Sequence, residues 1–307
     1  MTKFFVVGDV TVDQMYFVKN LPEKGGETNV IKAVLEPGGA AGTMATILAK
    51  LGNQVSLASS VGTGPFAKLA LREIIKAGVD ISKLQYNEDK QTSTVSLLIT
   101  PDGERTMISS AGASRQLDSQ LLQEKHITDS DALVMSAYSF IGGKQREYSL
   151  LAFEIAKNNN IKTFIDMGSG AVNALEDNLI PLLKGVDYLL MNQHELFTIS
   201  SQNSISDAVS SLSQHGIGNI IVKLGAMGSM VVTPTDTELV EALELDNIVD
   251  TTGAGDNYTA AFAHSIMQGK SLLDSAYFSN VVGALSATII SAQKTDLSPE
   301  SLSKYYQ

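Results

Sequence analysis

The sequence contains no cysteine. That excludes disulfides, thiolate metal sites and a cysteine nucleophile, and it is in keeping with a reducing cytoplasm. Basic residues are also scarce: 22 Lys and Arg stand against 33 Asp and Glu, for a net charge of −11 and a pI near 4.8. Such a surface repels a phosphate backbone, which argues against a nucleic-acid partner. A small anion can still be held if main-chain N–H groups hold it. No apolar run approaches the roughly 18 residues of a membrane span. The N-terminal "MTKFFVVGDVTVD" is broken at once by Gly8 and Asp9, so it reads as a first strand and not as a signal peptide. His126, His194, His215 and His264 show no paired metal-ligand spacing. No internal repeat, low-complexity tract or interdomain linker is evident.

What is present is 307 residues, 44% hydrophobic and 18% charged. That is enough for one large α/β unit with a well-filled core. Hydrophobic runs and turn residues predict strands at 3–8, 54–62, 132–138, 162–168, 187–192, 219–225 and 229–234. Helices are predicted at 37–52 after a Gly-Gly turn, then at 65–79, 146–160, 174–184, 204–215, 256–270 and 273–292. Strands alternating with helices imply a mostly parallel sheet covered on both faces. Two β-rich insertions, 12–36 and 92–110, break the alternation; the second carries a Pro-Asp-Gly hairpin signal. Both follow core strands, on the edge where α/β folds bind ligands. They are read as one small discontinuous lid over a core made of 1–11, 37–91 and 111–307.

The most unusual stretch is "DTTGAGDNYTAAF", 250–262. Gly253, Ala254 and Gly255 carry almost no side chain ahead of a small-residue helix. Consecutive free N–H groups at a helix start form a concave anion site, favoured by the helix dipole. Asp256 at its mouth has two candidate roles. It can cap the helix, or it can act as a general base that takes a proton from an alcohol attacking phosphorus. A cap alone does not need two glycines and an alanine before it, which favours the base.

Position by position, this stretch resembles the C-terminal signature of the ribokinase-like, or PfkB, carbohydrate kinases. The resemblance extends over essentially the whole chain. It implies an α/β three-layer sandwich with a mostly parallel sheet and a small β lid, and an ATP-dependent kinase acting on a sugar hydroxyl. In that family Asp256 would be the base and 253–255 the anion hole, with Asp250 and Thr252 beside a monovalent cation such as K⁺. "MNQHE", 191–195, resembles the Asn-x-x-Glu element that orders Mg²⁺ and the triphosphate. That gives Asn192 a phosphate role and Glu195 a magnesium role through water; read alone, the pair ends a strand and opens a helix. "KLGAMGSMV" places Lys223, Gly225 and Gly228 in a Gly-x-x-Gly turn beside the nucleotide, and Asn280 falls where family members contact adenine.

On the acceptor side, "VVGDVTVD" resembles the family's start, with Asp13 holding sugar hydroxyls, which suits a carboxylate that accepts two hydrogen bonds. Gly38 and Gly39 match the Gly-Gly pair that lets backbone meet sugar, and "DGER", 102–105, matches a recurrent lid turn. Three departures fall on this side. Thr43 stands where an Asn is usual, "VGTG" replaces an acidic turn, and "DMGSG" (166–170) replaces Asp-Pro-Asn. They leave the sugar unnamed and keep open a nucleoside kinase, a phosphosugar kinase using Arg105 or Lys32, and a binding protein without turnover. No arginine finger is evident. Family analogy adds a homodimer built through the lid sheets. "GTGPFA", 62–67, is a weak dinucleotide fingerprint with Pro65 inside it, and "HSIMQGKS", 264–271, lacks the first glycine of a Walker A motif.

Overall fold

The computed structural model describes residues 1–102, 104–233 and 236–306. Gly103 of the predicted lid turn and Pro234 of the last predicted strand lie outside the described residues.

The chain begins with β1 (Lys3–Val7), β2 (Thr11–Val18), β3 (Val30–Gly38) and α1 (Ala40–Lys50). Next come β4 (Gln54–Ala58), β5 (Ser60–Gly62), α2 (Pro65–Ala70), α3 (Arg72–Lys76), β6 (Gln85–Asn87), β7 (Ser93–Ile99) and β8 (Arg105–Ser110). The middle runs through α4 (Glu124–Thr128), β9 (Ala132–Ser136), α5 (Gly143–Asn158), β10 (Lys162–Asp166), α6 (Ser169–Leu175), β11 (Tyr188–Asn192), α7 (Gln193–Ser200) and α8 (Ile205–Ser213). It ends with β12 (Asn219–Lys223), β13 (Ser229–Val232), β14 (Thr237–Val240), α9 (Ala254–Met267), α10 (Leu272–Ser286) and α11 (Pro299–Leu302).

The main sheet has eight strands in the order β14-β13-β12-β11-β10-β9-β1-β4. It is parallel from β12 to β4, and β13 and β14 add an antiparallel edge. Alternate residues of β1 serve opposite cores: Phe4 and Val6 face one, Phe5 and Val7 the other. With both faces buried, the parallel strands read as continuous apolar runs instead of alternating ones. Helices α1, α9 and α10 supply the first core; α5, α7 and α8 supply the second. The expected three-layer sandwich is thus the fold. A separate four-stranded sheet, β3-β2-β7-β8, is built from the two β-rich insertions.

Several local expectations shift. The helix expected at 65–79 breaks at Leu71 into α2 and α3, and the strand expected at 54–62 divides between β4 and β5, which pairs with β6 in a small sheet of its own. The helix expected at 174–184 lies earlier, as α6, and ends where Glu176 turns to φ 46°; Pro181 lies in a later 3₁₀ turn, where it could not have continued an α-helix. The helix expected at 273–292 stops at Ser286.

Because β1, β9, β10, β11 and β12 are all parallel, their C-terminal ends share one edge. Asp9, Tyr138, Asp166, Asn192 and Lys223 are gathered there by topology alone. The chain goes to one side of β1 to form β4 and returns to the other to form β9, so the crevice past their ends is a switch point of the kind that holds ligands in open α/β sheets.

Candidate active site

The turn before α9 is built around Gly253, which sits at φ 73° as the helix N-cap. A Cβ at that position would overlap Ala292, so glycine is required both for the backbone angle and for the close approach. Buried Asn257 fastens the turn: its amide donates to Gly253 O at 3.0 Å and to Ala292 O at 3.1 Å, and its oxygen accepts from Thr295. The Ala254 N–H is engaged with Thr251 O at 3.2 Å, so Ala254 is not the anion-hole donor expected of it; closing the tight turn takes its hydrogen. The N–H groups of Gly253, Gly255 and Asp256 have no partner among the described residues. These three are the N–H groups left free at the start of α9.

Asp256 is the third residue of α9 and its side chain caps nothing. The capping alternative falls, and the carboxylate stands half-buried at the helix mouth. Withdrawal from water is the main cause that pushes it up to about 8; the charge of Asp166 adds to this, Lys223 opposes it, and Asp13 and Glu195 add more. Asp13 is likewise pushed up to about 6, by burial first, against a hydrogen bond from Thr11 and with the charges of Asp250 and Glu36 adding. The charge of Asp13 thus acts on Asp256, and that of Asp250 on Asp13.

Behind the anion hole lies a buried ionic cluster at the strand ends. Lys223 pairs with Asp166, and its Nζ reaches Gly255 O at 3.5 Å. A Cβ on residue 255 would come to 3.1 Å from that Nζ, so Gly255 makes room for the cation. Burial pulls Lys223 down, but Asp166 and Glu195 more than reverse it, and it stays charged. Asp166 also accepts from Thr259 at 2.7 Å. Asn192 and Glu195 form a reciprocal capping box at the start of α7, at 2.8 and 2.9 Å, and Ser169 donates to Glu195 at 3.0 Å. Both Glu195 oxygens thus have protein partners. That fits an outer-sphere relation to Mg²⁺, which keeps several of its own waters. Among the described residues no cluster of three or more acids or histidines stands ready to ligate a metal directly.

The remaining expected residues divide by role. Gly228 packs on the backbone of 240–242, where no side chain would fit, and Asn280 donates to Val240 O and Glu241 O at 2.9 and 3.0 Å. Both shape the wall past β14, and the Asn280 NH₂ group is occupied in doing so. Gly225, at φ 62°, opens onto free space. Gly38 lies against the Asp13 carboxylate so closely that a Cβ would fall within it, and a Cβ on Gly39 would meet Asp9 O at 2.5 Å. Thr43 is buried in α1, one turn past Gly39. Lys32 lies over the Phe17 ring at 5.5 Å. Arg105, on β8, reaches across to Thr252 Oγ1 at 3.0 Å.

Asp250 accepts from the Thr252 N–H at 2.9 Å through Oδ1, while its Oδ2 is buried without a partner. The Ser291 hydroxyl, on the segment that packs against this loop, is buried and unpaired as well. Sequence reasoning missed Asp166, Asn257 and Tyr138. Tyr138 is wedged against Gly168 and Gly170, and its hydroxyl receives Gly170 N–H at 3.3 Å. "DMGSG" was the available signal: its glycines mark a close approach, here of a ring. A second cleft, of about 630 Å³, opens at the opposite edge among Lys3, Ser56, Lys83 and His126 and holds none of these residues.

Residues 1–298 match the family model described as pfkB family carbohydrate kinase. The chain is 23% identical over 297 residues to a ribokinase of Haemophilus influenzae, covering 94% of each. It is 27% identical over 290 residues to an ATP-dependent ribose-1-phosphate kinase of Halopiger xanaduensis, covering 94% of this chain and 92% of the other. The fold superposes on the ribokinase of Arabidopsis thaliana complexed with ribose and ATP at a TM-score of 0.85, with 20% identity over 99% of this chain and 98% of that one. The signature at 250–262, the glycine-built turn and the match over nearly the full length lead to one conclusion: this chain belongs to the pfkB family of carbohydrate kinases.

Proposed function

We propose that the protein transfers the γ-phosphoryl group of ATP to a hydroxyl of a small sugar, with Asp256 as general base. The observation that carries the reading is the pairing of unpartnered Gly253, Gly255 and Asp256 N–H groups with a carboxylate whose proton affinity is raised. The acceptor oxygen forms a bond to the γ-phosphorus as the bond to the β-phosphate oxygen breaks. The alcohol proton passes to Asp256, and ADP leaves. A base whose pKa lies near working pH is a better proton acceptor than an ordinary carboxylate. The three N–H groups face the negative charge on the phosphoryl oxygens, and Lys223 sustains the local potential from behind Gly255.

Asp13, with Gly38 and Gly39 beside it, receives the sugar hydroxyls. The lid sheet excludes water, so that ATP is not lost to hydrolysis. Magnesium, when bound, neutralises the triphosphate charge, and Glu195 and Asn192 would hold its water shell. The buried, unpaired Asp250 Oδ2 fits a monovalent cation such as K⁺, which would fix the turn carrying the anion hole. The lid also carries a cross-strand row of Leu35, Gln14, Ser96 and Ile108 on the face opposite Asp13, with Leu35 45% and Ile108 64% exposed. We read this face as the contact between two copies of the chain.

The test is an acceptor panel with ATP, followed by ADP release and by ³¹P NMR of the product. A phosphorylated sugar formed by the wild type and not by Asp256→Asn supports the reading. Turnover absent with every sugar would overturn it.

A further inference from the structure

The second cleft, of about 630 Å³, lies at the other end of the main sheet from the catalytic crevice. Lys3 and Gln54, which pair at the starts of β1 and β4, both line it. The five residues of β1 run from this edge to the other, about 16 Å. The chain as a whole is acidic, with 22 Lys and Arg against 33 Asp and Glu, yet this lining reverses the balance. Lys3, Lys83 and Lys125 line the cleft, and Asp129 is the one acid among the described residues that do so. The ammonium groups of Lys3 and Lys125 have no partner among the described residues, and Lys83 lies 3.7 Å from Asp80. Asp131, close by, accepts from the main-chain N–H of Lys3 at 2.8 Å.

Two neutral donors complete the lining. His126 stacks on Phe5, and its Nδ1 accepts from the Gln123 N–H at 3.4 Å, which leaves its proton on Nε2. Burial first, then the charges of Lys83 and Lys125, push His126 down against the pull of Asp129 and Asp80, so the ring is neutral at neutral pH. Tyr148, on α5, also lines the cleft. Its side chain is 2% exposed, and its hydroxyl has no hydrogen-bond partner among the described residues. A phenol so far withdrawn from water ordinarily finds an acceptor, so this unmet donor marks the place for a ligand oxygen. Leu84 and Leu121, the latter 62% exposed, add apolar surface to the same cleft.

We propose that this cleft is a second binding site, for the phosphate group of a small molecule, held by Lys3, Lys83 and Lys125 and by the Tyr148 hydroxyl. Three cations match the charge of a phosphate better than that of a single carboxylate, and its several oxygens can accept from the lysines and the phenol together. The volume is that of a small-molecule pocket and exceeds what a bare ion needs. The site goes beyond the phosphotransferase reading and stands or falls without it.

The test follows the His126 ring by ¹H–¹⁵N NMR of the full chain at neutral pH, with its signal identified by its loss in His126→Gln. A signal local to the cleft separates binding there from binding in the catalytic crevice. Inorganic phosphate, pyrophosphate and glucose 6-phosphate are titrated separately, with sodium chloride holding the ionic strength constant. At least one of them should move the His126 signal saturably, and the order of affinities tells a free phosphate from an ester. Lys3→Ala with Lys125→Ala should weaken that binding by about 10-fold or more, the usual scale for lost charge-assisted hydrogen bonds. Tyr148→Phe, checked for an unchanged melting curve, should weaken it several-fold. A His126 signal unmoved by all three probes through the millimolar range would overturn the inference. So would equal affinity in the wild type and the double-lysine variant.

Discussion

Asp256 carries the reaction at the scale of the single residue, and its environment yields predictions of opposite sign for activity and stability. Asp256→Asn should lower kcat by about 10²–10⁴-fold, the usual contribution of a positioned base. The same change should stabilise the fold. A carboxylate pushed up to about 8 binds more protons folded than unfolded between pH 4 and pH 8, so the native state loses stability as pH rises through that window. Thermal melts should therefore show the asparagine variant matching the wild type below pH 4 and gaining on it steadily towards pH 8. For the active enzyme, kcat/KM should fall on the acid side with an apparent pKa well above the ordinary carboxylate range, since the protonated base is inert. Gly253→Ala tests the turn itself. A Cβ at φ 73° against Ala292 should cost about 1–3 kcal/mol in a denaturant melt and depress kcat further than KM.

Strand ends and helix starts, not side chains scattered on loops, hold the site in place. Lys223 closes β12, Asp166 closes β10, and Asn192 joins β11 to α7, so three neighbouring strands deliver one ionic cluster. Lys223→Met should destabilise by about 3–5 kcal/mol, because it leaves Asp166 buried with no cation. The double change with Asp166→Leu should recover much of that loss, which a double-mutant cycle would measure. The turn that joins residue 250 to α9 adds a second check. Potassium should raise the wild-type rate, and Asp250→Asn should abolish the response. At this scale the sequence was informative where local rules decide. The glycine-rich turn, the acids just past the first strand and the βα alternation were legible from 3.6- and 2-residue periods and from motif and glycine placement. It was silent where distant segments meet. Nothing in "DMGSG" says that Asp166 will face Lys223, 57 positions away, or that a tyrosine ring will fill the space its glycines leave. Helix limits near Leu71 and Glu176 were misjudged because the backbone breaks at residues that are neither glycine nor proline, so no turn residue marks them.

The molecule as a whole is a two-core sandwich with a separate small sheet, and the proposed reaction requires that sheet to approach the switch-point crevice. The Arg105 contact to Thr252 bridges them. The exposed outer row of the lid predicts a dimer by sedimentation at micromolar concentration. Leu35→Lys with Ile108→Lys should shift it to monomer. The central claim, that amides at the start of α9 and the adjoining carboxylate move a phosphoryl group, is tested most directly by single-turnover transfer from radiolabelled ATP to the identified sugar. Wild type and Asp256→Asn are compared with ATP and sugar affinities measured in parallel. The account predicts near-equal binding of both substrates and transfer slowed by about 10²–10⁴-fold in the variant. Transfer within 10-fold of wild type at saturating substrates would contradict it.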